Sequence, residues 1–288
     1  MRHGSLLDAI RTLSWPARRR VAGARAGTHA SRLRGRAPEL SEYRLYRQGD
    51  DPKDLDWKLL ARSDRPFVRL SDDRAVHDTW FVLDASASMA FPPVTQDKWR
   101  CACGLTVGLA SIAQRGGDPV AVLVPGSHTG AQVAPTTRRD AALVIGQALD
   151  SVRLAGAAAL APALARVAPA TRLVIMSDLL GDEDALRDAA AAHFAQGGEV
   201  IVLHVLSRQE LVLDPRLALV EDPEQPGIVR PVDAAGVAAY AAALSAWLVD
   251  TRERWIALGA TYLRIEAEGD AATAVRSVIE AVQLARTG

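Results

Sequence analysis

The chain has 288 residues, in which 34 Lys and Arg are balanced by 34 Asp and Glu. At about 150 residues per domain this length allows one large or two modest domains, and the neutral balance leaves no global field to draw the chain to nucleic acid. No run approaches the roughly 18 apolar residues of a membrane span and the N-terminus has no apolar leader core, so a cytoplasmic protein without a transmembrane segment is expected.

Residues 1–36 carry nine arginines against one acid, Asp8, interleaved with Leu6, Leu7, Ile10, Leu13 and Trp15. This basic, amphipathic segment either docks on an anionic surface or acidic partner, or is a solvated helix whose apolar stripe packs on the main domain, the reading preferred here. Arg44 to Arg62 is dense in charge, with a turn at Gly49, Asp50 and Pro52 and a short helix after it. An EF-hand is excluded, because the sixth loop position lacks glycine and Ala61 stands where the bidentate Glu belongs. The expectation is a structural network in which Arg44, Arg47 and Arg62 pair with Asp50, Asp51, Asp54 and Asp56 around a buried Trp57.

Val68, Leu70 and Val76 alternate in an extended stretch expected to open the sheet and lead toward Trp80. Trp80 to Leu83 is a buried parallel strand, and the chain leaves its carboxyl end, where open α/β sheets place ligands, as Asp84, Ser86 and Ser88. A spacing of two lets this loop aim three oxygens at one point, which suits a hard cation such as Mg²⁺. Asp97 to Arg115 reads as a helix capped by Asp97 and stopped at Gly116-Gly117. Cys101 and Cys103 diverge on it, so they are expected to be reduced, half-buried and unbridged.

Val120 to Val124 is a second buried strand, Ala131 to Ala134 a short edge strand, Thr137 to Val152 a helix, and Leu160 to Val167 another. Arg172 to Met176 is a third apolar run that ends in Ser177 and Asp178, so the two acidic strand ends are expected to meet. Gly181 to Gln196 reads as a helix and Glu199 to Leu206 as a strand. A long helix over Ala235 to Leu258, a strand over Tyr262 to Ile265 and a helix over Ala272 to Arg286 complete the chain. The alternation predicts an α/β fold with a mostly parallel, doubly wound (Rossmann-like) sheet covered by helices on both faces. His204, inside an apolar strand, is expected to be a satisfied core residue.

DASAS at Asp84 to Ser88 resembles the DxSxS motif of von Willebrand factor A domains, whose metal-ion-dependent adhesion site binds Mg²⁺. GTHASRLRG (Gly27 to Gly35), YRQGDDPKDLDWKLLAR (Tyr46 to Arg62), FVLDASASM (Phe81 to Met89), VIMSDLL (Val174 to Leu180) and GGEVIVLHVLSRQEL (Gly197 to Leu211) together resemble the DUF58 family. The resemblance implies residues 1–78 as a basic segment with the signature region, and residues 79–288 as a von Willebrand A-like domain. It implies metal-site residues Asp84, Ser86, Ser88 and Asp178, the first three holding the ion and Asp178 assisting through water. It also places Ala158, in Gly156-Ala157-Ala158-Ala159-Leu160, where the family commonly has a threonine, which predicts a weaker Mg²⁺ site. The implied role is non-catalytic protein binding: a partner's Asp or Glu completes the cation, and the implied associate is a MoxR-type AAA+ ATPase acting in complex assembly or maturation.

Two alternatives are carried forward. One is a phosphatase-like hydrolase with Asp84 as nucleophile, disfavoured because Ser86 stands where a second carboxylate would act as general acid. The other is a metal-free scaffold. A serine-hydrolase elbow is excluded, since Gly126 to Gly130 places His128 at the nucleophile position.

Overall fold

The computed structural model describes residues 3–15, 42–46, 57–63, 65–70, 78–126, 130–214, 219–221, 227, 229–231 and 233–287. The chain forms two compact units, one of Met1–Pro16 with His77–Gly288 and one of Ala17–Val76. The first sixteen residues, grouped by sequence with the N-terminal segment, belong to the larger unit.

In the smaller unit, β1 (Glu42–Leu45) pairs antiparallel with β2 (Phe67–Leu70), and α2 (Trp57–Ser63) lies between them in sequence. This corrects two expectations. β2 does not open the main sheet, and Trp57 is not a buried centre for ion pairs, being 64% exposed. The Asp50, Asp51, Asp54, Asp56 and Arg47 part of that network lies outside the described residues.

The larger unit begins with α1 (Gly4–Ala9) and resumes with β3 (Thr79–Leu83) and α3 (Asp97–Arg115). β4 (Val120–Val124), β5 (Ala131–Thr136), α4 (Ala141–Asp150) and α5 (Leu160–Leu164) follow. Next come β6 (Arg172–Ser177), α6 (Glu183–Ala195), β7 (Glu199–Leu206), α7 (Arg208–Leu211) and the β8 (Leu219–Glu221) and β9 (Val229–Pro231) ribbon. α8 (Ala234–Ala257), β10 (Thr261–Glu266) and α9 (Ala271–Thr287) close the chain. Six strands form one sheet in the order β10-β7-β6-β3-β4-β5. Neighbours run parallel except β5, which is antiparallel to β4 at the edge.

Period-two alternation divides the strands between two apolar layers. Phe81, Leu83, Val174 and Met176 face the layer built with α1, α3, α4 and α9. Trp80, Val82, Leu173 and Ile175 face the layer of α5, α6 and the C-terminal part of α8. The central strands β3, β4 and β6 are buried along their whole length, which is why they read as unbroken apolar runs.

The apolar stripe of the N-terminal segment packs as expected within residues 3–15. Leu6, Ile10 and Trp15 are buried, Arg115 donates to the carbonyls of Ile10 and Leu13, and Arg276 donates to that of Ala9. A Cβ on Gly108 of α3 would come within 2.9 Å of Val275 and 3.3 Å of Ile10, so this glycine permits the close approach of α1, α3 and α9. At the opposite end of the sheet from the DASAS loop, Arg172 is fully buried. It pairs with Asp118 at 3.2 Å and Glu199 at 3.1 Å and lies 4.7 Å from the Trp15 ring.

Asp97 is the first residue of α3 and accepts from Thr95, while left-handed Gln96 holds the capping position expected for Asp97. Cys101 and Cys103 are free, and they are buried rather than half-buried. α8 is long and apolar enough to cross a membrane by length and composition alone. Thr251 and Trp255 are buried beneath its C-terminal half, whereas its alanine-rich N-terminal half is largely exposed.

Candidate functional site

Asp84 leaves β3 at its carboxyl end, and its N–H still donates to the Met176 carbonyl of β6, extending the ladder by one step. The register Leu83 with Met176 therefore sets Asp84 beside Ser177. Both follow the alternation of Val82 and Ile175, so both face the α5 and α6 layer. The Ser177 hydroxyl donates to Asp84 Oδ2 at 2.6 Å, and the Ser86 N–H donates to Oδ1 at 2.8 Å. Ser86 and Ser88 are joined through their hydroxyls at 2.9 Å as the loop turns into a short 3-10 helix at Ala87–Ala90.

The loop following α4 closes the third side. The Ala87 N–H donates to the Gly156 carbonyl at 2.8 Å, and the Ala155 N–H to that of Ala85 at 3.2 Å. Gly156 has φ +62°, which glycine adopts without strain. The loop Ala155–Gly156 is thus bonded to the DASAS loop, and Ala158, a little further on, lines the cleft with a methyl group. Asp84, Ser86, Ala158 and Ser177 line a cleft of about 400 Å³ that runs on between Leu160, Leu179 and Leu186 to Asp182 and Glu183.

Asp84 is 4% exposed, and its carboxyl is pushed above the usual carboxylate range, first by burial and then by the charge of Asp178. The hydrogen bonds from Ser177 and Ser86 pull in the opposite direction. Among the described residues no lysine or arginine forms an ion pair with it. Leu179, on the cleft wall, has φ +57°, a conformation costing a leucine of the order of 1–2 kcal/mol, and its N–H is held by the Ser177 hydroxyl at 2.9 Å.

The two acidic strand ends do meet, but Asp178 points the other way. One residue beyond Ser177, it follows the alternation of Val174 and Met176 toward α3. There its Oδ2 accepts from Lys98 Nζ at 2.7 Å, and Oδ1 accepts from the Leu180 N–H at 3.3 Å. Lys98 is fully buried and also donates to Glu210 Oε1 at 2.6 Å, while Glu210 Oε2 completes the capping box of α7 at the Ser207 N–H. Of the four residues read as ligands, the structure brings Asp84, Ser86 and Ser88 together and commits the carboxylate of Asp178 to Lys98.

His204 is the satisfied core residue expected. Nε2 lies 2.9 Å from the Asp178 carbonyl, which can only accept, so Nδ1 accepts from the Tyr262 hydroxyl at 2.6 Å. Burial lowers its pKa to about 4.

Sequence reasoning missed Ser177 as a partner of Asp84 and missed Lys98 entirely. Strand parity was the available signal for Ser177. For Lys98 there was none, since a lysine in the first turn of a helix ordinarily reads as solvated.

Geometry and topology together define an α/β domain with an oxygen-rich cleft at the carboxyl ends of adjacent central strands. The model of the family described as "Protein of unknown function DUF58" matches residues 42–243, and the chain belongs to that family. It is similar to uncharacterized proteins of Mycobacterium tuberculosis and Mycobacterium bovis, each 30% identical over 279 residues, 92% of this chain and 86% of the relative. Among solved structures it is similar to the conserved hypothetical protein BatB from Bacteroides thetaiotaomicron, at TM-score 0.47 and 16% identity over 74% of this chain and 100% of that one. It is also similar to an aerotolerance-related membrane protein from Bacteroides fragilis, at TM-score 0.42 and 16% identity over 72% of this chain and 99% of that one.

Proposed function

We propose that the cleft is a divalent-cation site of the von Willebrand A adhesion type and that the protein is a non-catalytic binding module whose partner supplies a carboxylate. The observation that carries this reading is Asp84: a buried carboxylate, unpaired with lysine or arginine among the described residues, sharing a cleft with the hydroxyls of Ser86 and Ser177 and, through Ser86, with that of Ser88. The donor set fits the group. One carboxylate and neighbouring hydroxyl oxygens suit a hard cation such as Mg²⁺, which takes few protein ligands and keeps several waters. Asp84, Ser86 and Ser88 would hold the ion, and the Ser177 hydroxyl orients Asp84. When bound, the ion supplies an electrophilic centre for an incoming Asp or Glu.

Ala158 leaves that set one hydroxyl short, so metal affinity is modest and partner and metal binding are linked. The partner proposed from the family resemblance is a MoxR-type AAA+ ATPase. Such an ATPase uses Mg²⁺ with its own nucleotide, so chelation alone does not discriminate. The test compares capture of the purified ATPase by wild-type and Asp84→Asn protein at one fixed Mg²⁺ concentration. Capture confined to the wild type supports the reading, and equal capture by both proteins rejects it.

A further inference from the structure

We infer that Lys98 sets the charge of this site: it neutralises Asp178 on the α3 side of the sheet, so that of the two carboxylates at the ends of β3 and β6 only Asp84 presents its charge to the cleft. The inference rests on the cation reading of Asp84 and extends it to the residue that sets how much strand-end charge the ion meets.

Three observations carry it. Lys98 is fully buried in the first turn of α3, among Trp99, Ala102 and other core residues of that helix. A buried ammonium persists only when paired, and it has two carboxylate partners, Asp178 at 2.7 Å and Glu210 at 2.6 Å. Asp178 is itself fully buried, while Glu210 retains some exposure and is fixed at its other oxygen by the Ser207 N–H. Lys98 therefore neutralises the carboxylate that follows Ser177 at the end of β6, on the other face of the sheet from Asp84. With Lys98 in place, a dication held by Asp84, Ser86 and Ser88 meets the uncompensated charge of only one of these two strand-end carboxylates and has positions open to water or to a partner's acid. Without it, Asp178 is a second uncompensated anion at the end of the neighbouring strand, and the cation binds more tightly with less need of a partner. Ligand charge count is the variable that tunes oxygen sites of this kind.

The experiment measures Mn²⁺ alone, by calorimetry and by loss of the free-ion electron paramagnetic resonance signal. It uses the full chain as wild type, Asp84→Asn, Asp178→Asn, Lys98→Met and Lys98→Met/Asp178→Asn, each checked for folding by circular dichroism. Lys98→Met is expected to bind about tenfold more tightly than wild type, and the double variant to return to within about threefold of it. Asp178→Asn alone is expected to stay within about threefold, because Lys98 already withholds that carboxylate. This variant removes no buried cation, and it decides the question should Lys98→Met fail to fold. The inference is overturned if Asp178→Asn weakens Mn²⁺ as much as Asp84→Asn does, or if folded Lys98→Met binds like wild type. Equal binding by wild type and Asp84→Asn would instead reject the cation reading of Asp84 itself, whereas Asp84-dependent binding with no gain in folded Lys98→Met would reject only the role of Lys98.

Discussion

Replacing Asp84 by asparagine separates the cost of burying a charge from the benefit of binding a cation. Asparagine has the same shape, and its carbonyl oxygen still accepts from the Ser86 N–H, 2.8 Å from the present carboxylate. Its amide donates to the Ser177 oxygen, which lies 2.6 Å from the present carboxylate and retains capacity to accept. The hydrogen-bond count is conserved and the desolvated charge is removed. In EDTA the variant should therefore equal or exceed wild-type stability, with a difference of about 1 kcal/mol. Magnesium reverses the order. A ligand at a hundred times its Kd adds about 2.7 kcal/mol to the state that binds it. At about 2–4 °C per kcal/mol for a domain of this size, that raises the wild-type Tm by about 5–10 °C. Thermal unfolding in EDTA and in MgCl2 up to about 10 mM, which saturates a site of sub-millimolar Kd, measures both proteins at matched ionic strength. An equal rise in both places the ion elsewhere, and no rise in the wild type refutes the reasoning.

Ala158→Thr adds a hydroxyl to the cleft wall, and calorimetry should show Mg²⁺ affinity rising by up to about tenfold; no change would mean that Gly156 to Leu160 is not part of the site. Gly198→Ala should cost about 1–3 kcal/mol in urea unfolding, since the new Cβ would fall 2.2 Å from the His193 ring and 2.8 Å from its carbonyl. Arg172→Ala should cost about 3–5 kcal/mol, because it leaves Asp118 and Glu199 without the guanidinium and uncovers Trp15. His204, with a pKa lowered by burial from the ordinary 6.5 to about 4, binds fewer protons folded than unfolded, so its contribution is complete above about pH 6.5 and is lost as pH falls toward 4. The loss is about 3 kcal/mol across that window, and His204→Gln should flatten the slope of stability against pH there.

The parts of the fold legible in the sequence were those in which a single physical signal dominated. Val120 to Val124 and Glu199 to Leu206 are strands with the expected bounds, because short apolar runs between breakers have few alternatives. The helix Asp97 to Arg115 likewise ends where Gly116-Gly117 stops it. Pairing was less legible. Phe67 to Leu70 is extended as expected, but alternation does not name a partner strand, and it joins Glu42–Leu45 instead of the main sheet. The span of Ala234 to Ala257 was recognised as a helix, yet its apolar character was underestimated because alanine and scattered large residues make no contiguous run of obvious hydrophobes.

At the site, composition identified the oxygens but parity decided which way they face. By sequence alone, Ser177 and Asp178 are equally available to Asp84 as members of one strand end. In a pleated strand, however, consecutive side chains belong to different layers. Ser177 shares the α5 and α6 side with Asp84, whereas Asp178 belongs to the α3 side with Lys98. The same alternation sorts the polar groups by chemistry. On one side an unpaired carboxylate and hydroxyls border a cleft; on the other a buried ammonium joins two carboxylates beside the core. A shift of one residue in the β3 and β6 register would bring Asp178 beside Asp84 and strand Lys98 without its buried partner. The Lys98 ion pair therefore opposes that slip, and the feature that neutralises the second strand-end carboxylate also helps to hold the register that builds the cleft.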